Sequence, residues 1–275
     1  MHKAGHQVLL CGRTPRDNVE LRPDDGQPIV VPGPVLTDPD QVPGCVGVVV
    51  LAVKATQNDA SAAWLARLCD EHTIVLVLQN GVEQVEQVQP LCPSSPVIPG
   101  IVWYSAETQP DGWVRLRTEA ALVLPSGPAA TTVAELLRGA GCRVDNDPDF
   151  ITAAWRKLLT NALAGFMVLS RRRSGMFRRD DVAELSRRYV AECLAVARGE
   201  GARLPDDLVD GLVDMFRATP EDMGTSILAD AEGRRPTEWD IRNGVIIRKA
   251  RAHGLPTPIS DVLVPLLAAG SDGPG

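Results

Sequence analysis

Lys157 and Asn161 are the pair of side chains in this sequence with the clearest capacity for chemistry. They stand four residues apart in the segment WRKLLTN, so on a helix they project from the same face. A lysine beside a carboxamide could bind a carbonyl oxygen and donate a proton to it. The alternative is the solvated face of an amphipathic helix, which the pair taken alone favours because both residue types are common there.

Two further polar residues, Ser226 and Glu238, lie at the starts of predicted helices in the second half of the chain. Thr237 and Asp240 have the spacing of a capping box, which predicts a helix that starts here with Glu238 in its first turn. Both residues also have a purely structural interpretation. The helix dipole favours an acid in a first turn, and serine is common at helix N-termini.

The first half of the chain has the strand–helix–strand pattern of an α/β fold. The apolar runs at 44–53 and 73–78 predict strands that are buried on both faces of a parallel sheet. Polar residues follow each run, Lys54 and Gln57 after the first and Asn80 after the second. Such sheets bind ligands at this carboxyl edge, so these three side chains are candidates for a site.

Other strand-like patterns are confined to the first half, at 24–40, 97–104, 113–117, 121–124 and 143–144. Beyond residue 148 the periodic segments are helical. We therefore predict an α/β domain over residues 1–146 and an all-helical domain over 147–275, with a disordered tail from Ala268 onward.

The opening of the sequence has the pattern of a helix end followed by a strand. Residues 1–4 precede Gly5, a typical helix cap, and residues 8–11 predict a buried strand. In a dinucleotide-binding fold, a first strand and a Gly-rich phosphate turn would come before this point, and no G-x-G-x-x-G is found near the start. We expect that strand and turn upstream of the sequence as given; the alternative is a protein that begins here with a frayed end.

Arg13 follows the predicted strand, where doubly wound nucleotide-binding sheets contact the ribose. An acid at this position selects NAD, whereas an arginine accommodates the additional phosphate of NADP. Arg13 therefore indicates NADP, and a solvated arginine at a strand end is an equally good interpretation of this residue alone.

Composition excludes several classes of function. The 275 residues include 28 Lys and Arg against 35 Asp and Glu, a net charge of −7, which argues against nucleic acid or an anionic membrane as a partner. The apolar runs are too short to span a bilayer, and the first residues lack the apolar core of a signal peptide. The 6 cysteines are scattered and the 4 histidines lack metal-ligand spacing, so we predict a cytoplasmic protein with reduced thiols and no metal site.

Four motifs in this order give the chain a resemblance to the ketopantoate reductase family. They are Val53–Gln57, Gln79–Gly81, Trp155–Asn161, and the series Thr225–Ser226, Asp230, Gly233–Arg234, Thr237–Asp240 and Asn243–Gly244. The resemblance extends over nearly the full chain. It implies a Rossmann-like NADP-binding domain, without its first strand and Gly-rich turn, joined to a helical domain. It also implies NADPH-dependent reduction of ketopantoate to pantoate, on the route to pantothenate and coenzyme A.

The resemblance assigns roles to residues of this chain. Lys157 is implied as the general acid and Glu238 as the carboxylate that orients the substrate hydroxyl. The implied substrate contacts are Asn161, Ser226 and Asn80. The implied cofactor contacts are Lys54, Gln57, Asn80 and Glu238, in addition to Arg13, which its position after the predicted strand indicates. A lysine suits the acid role because its ammonium stabilises the oxyanion formed by hydride transfer and then protonates it. At a reference pKa of about 10.4 it is already charged at neutral pH, and a nearby Glu238 would help to keep it so.

Two departures from the family leave alternatives open. Gly165 stands where the family usually has a second asparagine, one helical turn after Asn161, so the substrate could be another 2-oxo acid. The absent Gly-rich turn leaves a non-catalytic relic of a reductase as an alternative of a different class. The expected partner is a small-molecule 2-oxo acid, and a homodimer is an assembly that the sequence leaves open.

Overall fold

The structure, a computed structural model, describes residues 1–104 and 106–272. It divides into two compact units. The first contains residues 1–53, 57–79 and 84–150, and the second contains residues 54–56 and 80–83 together with the chain from 151 onward. Two short segments that follow strands of the first unit therefore belong to the second.

Among the described residues, the strands all lie before residue 148, and the α-helices lie between and after them. The strands are β1 (Leu10–Cys11), β2 (Asn18–Pro23), β3 (Ile29–Pro32), β4 (Val35–Leu36), β5 (Val48–Leu51), β6 (Ile74–Val77), β7 (Val97–Pro99), β8 (Ile101–Trp103), β9 (Ala106–Thr108), β10 (Val114–Leu116), β11 (Ala121–Pro125) and β12 (Arg143–Asp147). The helices are α1 (Asn58–Leu68), α2 (Gln84–Val88), α3 (Pro128–Gly139), α4 (Phe150–Leu163), α5 (Gly165–Ser170), α6 (Asp180–Gly199), α7 (Leu208–Ala218), α8 (Ser226–Glu232), α9 (Val245–Ala252) and α10 (Ser260–Asp272).

A parallel sheet of three strands, in the order β5-β6-β7, forms the centre of the first unit. Its middle strand is buried on both faces, since Val75, Leu76 and Val77 have no exposed surface. The outer strand β5 differs from the prediction of burial on both faces, because Val50 is 47% exposed. The difference arises because β5 lies at the edge of this sheet, where buried and exposed residues alternate along the strand.

The first unit contains three further sheets among the described residues. β11 pairs in parallel with β12 and antiparallel with β8, and α3 packs its buried face, which includes Val133 and Ala134, into the same core as Leu124. The order β3-β2-β10-β9 makes a four-stranded sheet, and β1 pairs in parallel with β4. The predicted strand over 8–11 is shorter than expected, because only Leu10 and Cys11 are extended and Cys11 is exposed.

The second unit is helical after residue 150, and its core is built around α4, α5 and α6. Tyr189 on α6 is fully buried and stacks on Phe166 of α5 with ring centroids 5.2 Å apart. Leu185, which the helical pattern assigns to the apolar side of α6, is 42% exposed instead. The prediction of a disordered tail is wrong for residues 268–272, which continue α10, while residues 273–275 lie outside the described residues.

The predicted fold class is confirmed: a Rossmann-like α/β unit with mixed sheets is followed by a helical unit. The sequence patterns that decided it are the continuous apolar strands in the first half and the 3.6-residue periodicity in the second. No helix within the described residues is long and apolar enough to cross a membrane.

Candidate active site

Asn80 is placed by a turn that requires glycine at the next position. Gly81 adopts φ +101°, a conformation that residues with a side chain rarely adopt. A Cβ atom there would lie 3.3 Å from both the Cβ and the carbonyl oxygen of Ile241. The turn after β6 therefore brings Asn80 close to a π-helical turn at Asp240–Gly244 in the second unit.

Glu238, just before that π-helical turn, is the centre of a hydrogen-bond network. Its Oε2 atom accepts from Asn80 Nδ2 at 2.9 Å and from Arg242 Nη2 at 3.3 Å. Its Oε1 atom accepts from the backbone N–H of Ala55 at 3.4 Å. Because Glu238 is only 6% exposed, these three donors replace the water that a carboxylate would otherwise bind.

Asn161 joins the same network from α4. Its Nδ2 atom donates to Asn80 Oδ1 at 3.2 Å, and Asn80 in turn donates to Glu238. The amide of Asn80 is thereby fixed in one orientation, with its oxygen towards Asn161 and its nitrogen towards Glu238. Three of the residues that the sequence singled out are thus connected by hydrogen bonds.

Lys157 lies one helical turn before Asn161 and is partly buried. Burial lowers the pKa of its ammonium, and the positive charge of Arg242 lowers that pKa further. The sequence suggested a lysine near its reference pKa with Glu238 as its stabilising neighbour. The structure differs because Glu238 forms an ion pair with Arg242, so a second cation was missing from the sequence argument.

Arg242 is the functional candidate that sequence reasoning missed. It is 3% exposed, and its Nη2 atom donates to Ser226 Oγ at 3.0 Å as well as to Glu238. In sequence it stands four residues after Glu238, and this spacing is typical of an exposed i,i+4 ion pair on a helix. That spacing was the available signal, but nothing in the sequence shows that the pair is buried.

Lys54 forms an ion pair with a second missed residue, Asp230. The Nζ–Oδ2 distance is 2.5 Å, and Asp230 also accepts from Arg235 Nε at 3.0 Å. Asp230 lies on α8, one turn after Ser226, and is buried, whereas the Lys54 side chain is 39% exposed. The ion pair therefore holds the Lys54 side chain in place while part of its surface stays exposed.

The predicted capping box at Thr237 and Asp240 is wrong. The Thr237 hydroxyl is buried and has no hydrogen-bond partner within the described residues, while Asp240 pairs with Arg248. The helical segment begins after Glu238, at Trp239, and continues as the π-helical turn. Glu238 consequently precedes the helix, and its carboxylate is held by the network described above.

The two remaining candidates, Arg13 and Gln57, belong to the first unit. Arg13 is exposed and lies two residues after β1. Gln57 ends a 3₁₀ turn at Ala55–Gln57, and its carbonyl oxygen accepts from Ser61 Oγ at 3.1 Å in the first turn of α1. An exposed guanidinium at the end of a strand fits a phosphate ligand.

Two groups of charges occur among the site residues. Glu238 pairs with Arg242, and Asp230 pairs with Lys54 and Arg235. Arg242 also acts through its charge on Lys157, whose pKa is lowered. A lysine with a lowered pKa beside an arginine can attract an anionic ligand, such as a carboxylate, and donate a proton to it.

Comparison with known proteins identifies the family. The family model described as "Ketopantoate reductase PanE/ApbA" matches residues 1–129, and its C-terminal counterpart matches residues 149–271. The chain belongs to the ketopantoate reductase family. A "2-dehydropantoate 2-reductase" of Mycobacterium tuberculosis is 74% identical over 275 residues, covering 100% of this chain and 93% of that protein.

More distant relatives agree with this assignment. A "2-dehydropantoate 2-reductase" of Caulobacter vibrioides is 33% identical over 267 residues, covering 97% of this chain and 91% of that protein. A solved PanE/ApbA family ketopantoate reductase from Ralstonia eutropha superposes with a TM-score of 0.88 at 28% identity, covering 98% of this chain and 92% of that one. Both agree with the family assignment over nearly the whole length of this chain.

Proposed function

We propose that this chain is an NADPH-dependent 2-dehydropantoate 2-reductase, which reduces ketopantoate to pantoate in pantothenate biosynthesis. The observation that carries the proposal is the 74% identity, over every residue of this chain, to a protein of that name. The site residues support it. Lys157 can protonate an oxyanion, and the network around Glu238 contains amide, hydroxyl and carboxylate groups that can bind a polar substrate. These groups argue against a non-catalytic relic.

Lys157 is the proposed general acid. Hydride transfer from NADPH to the substrate carbonyl carbon supplies the reduction and leaves negative charge on the carbonyl oxygen. The ammonium of Lys157 stabilises that charge and then donates its proton to the oxygen. Because burial and Arg242 lower the pKa of Lys157, this proton is released more readily than from a lysine in water.

Glu238, Asn161 and Ser226 are the proposed substrate contacts. A carboxylate can accept a hydrogen bond from the substrate hydroxyl, so Glu238 is suited to orient it. Asn161 and the exposed Ser226 provide donors for the substrate's oxygen atoms. Asn80, which is bonded to both Asn161 and Glu238, keeps these groups in one arrangement.

We propose that residues 1–146 form the cofactor-binding domain and residues 147–275 the substrate domain. Arg13, Lys54, Gln57, Asn80 and Glu238 are the proposed NADPH contacts. Arg13 and Lys54 are suited to phosphate groups because both are cations, and Arg13 is exposed while the Lys54 side chain is partly exposed. A cytoplasmic location and a homodimer complete the proposal.

A 2-oxo acid other than ketopantoate is the second candidate substrate, and Gly165 is the observation that favours it. A Cβ atom on Gly165 would lie 2.9 Å from Asn243 Nδ2 and 3.2 Å from Leu267 Cδ1. There is no room for the asparagine that the family usually has here. This chain therefore lacks one amide that could contact the substrate.

A panel of 2-oxo acids distinguishes the two candidates. NADPH oxidation by the purified protein is followed with ketopantoate, 2-oxoisovalerate, pyruvate and phenylglyoxylate. The proposed function requires the highest kcat/KM for ketopantoate, by about tenfold or more, because only its hydroxyl can bond to Glu238. A higher kcat/KM for an acid without that hydroxyl would favour the second candidate.

A further inference from the structure

Arg242 is an arginine in the interior of the second unit. No other arginine or lysine among the described residues is buried to this extent. Burial of a guanidinium is unfavourable unless hydrogen bonds replace its water. Within the described residues, the Nε atom of Arg242 is buried and has no hydrogen-bond partner. An apolar residue would fill this position at lower cost, so the charge calls for a functional explanation.

The contacts of Arg242 lead to two proposed substrate contacts. Its Nη2 atom donates to Ser226 Oγ at 3.0 Å and to Glu238 Oε2 at 3.3 Å. A serine hydroxyl has one hydrogen to donate. Since Arg242 occupies an acceptor position on Ser226, the hydroxyl hydrogen is free to point away from Arg242, towards a substrate oxygen.

Arg242 has a comparable effect on Glu238. With Asn80 it provides the second donor to Oε2, so the carboxylate is held from two sides. Ser226 is exposed whereas Glu238 and Arg242 are buried, so the arginine connects the interior to a group that a substrate can reach.

We propose that Arg242 is a positioning residue of the reductase reaction, which directs the Ser226 hydroxyl and the Glu238 carboxylate towards the substrate. The proposal rests on the proposed reduction of a 2-oxo acid. It goes beyond the roles implied by family resemblance, which place no cation at this position. Arg242 acts through its two neighbours and needs no contact with the substrate.

The electrostatics of the neighbourhood support this role. The charged group that acts on Lys157 is Arg242, which lies within the π-helical turn. Arg242 is itself paired with Glu238 and is close enough to Asp230 to be stabilised by its charge; Arg156, on the helix of Lys157, is exposed. The pKa of Lys157 is lowered first by burial and then by Arg242. Removal of the Arg242 charge should therefore raise that pKa, and replacement by lysine should preserve it.

Three variants test the proposal: Arg242→Met, Arg242→Lys and, as a control, Arg251→Met, which removes an exposed arginine from α9. We expect Arg242→Met to raise the KM for ketopantoate about tenfold or more and the KM for NADPH by a clearly smaller factor, because both partners of Arg242 are proposed substrate contacts and only Glu238 is also a proposed NADPH contact. Arg242→Lys should recover part of the loss, and the control should match the wild-type protein. Equal changes in the two KM values, or no change in either, would overturn the proposal.

The pKa of Lys157 provides a readout that needs no substrate. The chain has four lysines, Lys3, Lys54, Lys157 and Lys249, so ¹³C-lysine NMR resolves each titration and Lys157→Ala assigns the signal. We expect the titration of Lys157 to move to higher pH in Arg242→Met and to stay near the wild-type position in Arg242→Lys. The same titration in wild type and Arg242→Met would contradict the electrostatic part of the account.

A double variant keeps the proposal falsifiable if Arg242→Met does not fold. Ser226→Ala and Arg242→Lys should not have independent effects on the KM for ketopantoate, because both disturb the same hydroxyl. If the KM for ketopantoate of the double variant rose by the product of the two single-variant factors, the proposal would be overturned. If the wild-type protein prefers another 2-oxo acid, the proposed substrate is wrong, and the KM measurements with that acid still test Arg242.

Discussion

Asn80 donates a hydrogen bond from Nδ2 to Glu238 Oε2 at 2.9 Å, although 158 residues separate them in sequence. Both residues belong to the second unit, Asn80 in the short segment 80–83 that follows β6 and Glu238 just before a helical segment. Asn80 also accepts from Asn161. A single amide therefore determines the orientation of two proposed substrate contacts.

Asn80→Asp should reduce kcat/KM by about 100-fold. The substitution keeps the shape of the side chain but replaces the donor to Glu238 by a carboxylate oxygen, so two like charges face each other across a short distance. Steady-state kinetics with ketopantoate measure the effect. Asn18→Asp, at an exposed position on β2, is the matched control; a similar loss in both variants would contradict the assigned role of Asn80.

The pH dependence of kcat should reflect the lowered pKa of Lys157. A lysine that acts as an acid is active when protonated, so activity is present at low pH and is lost as pH rises through its pKa. Because burial and Arg242 lower that pKa, the alkaline limb should lie below 10.5, the ordinary pKa of a lysine. A limb at or above 10.5, measured with buffers of constant ionic strength, would be inconsistent with Lys157 as the acid.

Lys54→Met should weaken cofactor binding with little effect on stability. The ion pair with Asp230 is partly exposed on the lysine side, and Asp230 keeps Arg235 as a partner. We expect the KM for NADPH to rise about tenfold, and the free energy of unfolding to fall by about 1 kcal/mol or less. Kinetics and denaturant titration measure the two quantities; an unchanged KM for NADPH would remove Lys54 from the cofactor site.

The fold was largely predictable from the sequence because its patterns are local. The apolar runs that became β5 and β6 and the periodic helices α6 and α7 required no knowledge of long-range contacts. The site was predictable only in part. The helix after Glu238 begins at Trp239, later than predicted, because the Thr237 hydroxyl makes no capping hydrogen bond within the described residues.

Arg242 shows why the rest of the site could not be predicted. An arginine four residues after a glutamate has the same sequence pattern whether it lies in solvent or in a core. Its burial results from packing of segments distant in sequence, which no local pattern records. Asp230 was quoted as part of a motif, but its pairing with Lys54 depends on residues 176 positions apart.

Gly165→Ala should destabilise the protein by about 1–3 kcal/mol, the usual range for overpacking. The added Cβ atom would approach Asn243 Nδ2, which donates to the Ala162 carbonyl oxygen and to Tyr189 Oη, both at 2.9 Å. Denaturant unfolding measures the change in free energy.

Gly211→Ala is the matched control for this substitution. Gly211 lies inside α7, and a Cβ atom there would meet nothing within 4 Å. Replacement by alanine should therefore stabilise the protein by about 0.5–1 kcal/mol through helix propensity. Equal changes in the free energy of unfolding for the two substitutions would show that the contact with Asn243 does not destabilise the Gly165→Ala variant.

The most direct test of the central claim is the turnover number of Lys157→Ala with NADPH and ketopantoate, compared with wild type and with Lys3→Ala, which removes an exposed lysine. Circular dichroism and the melting temperature verify that all three proteins are folded. We expect kcat of Lys157→Ala to fall by about 10²–10⁴, the range for loss of a general acid, and Lys3→Ala to match wild type. A folded Lys157→Ala variant with near-normal kcat would contradict the mechanism.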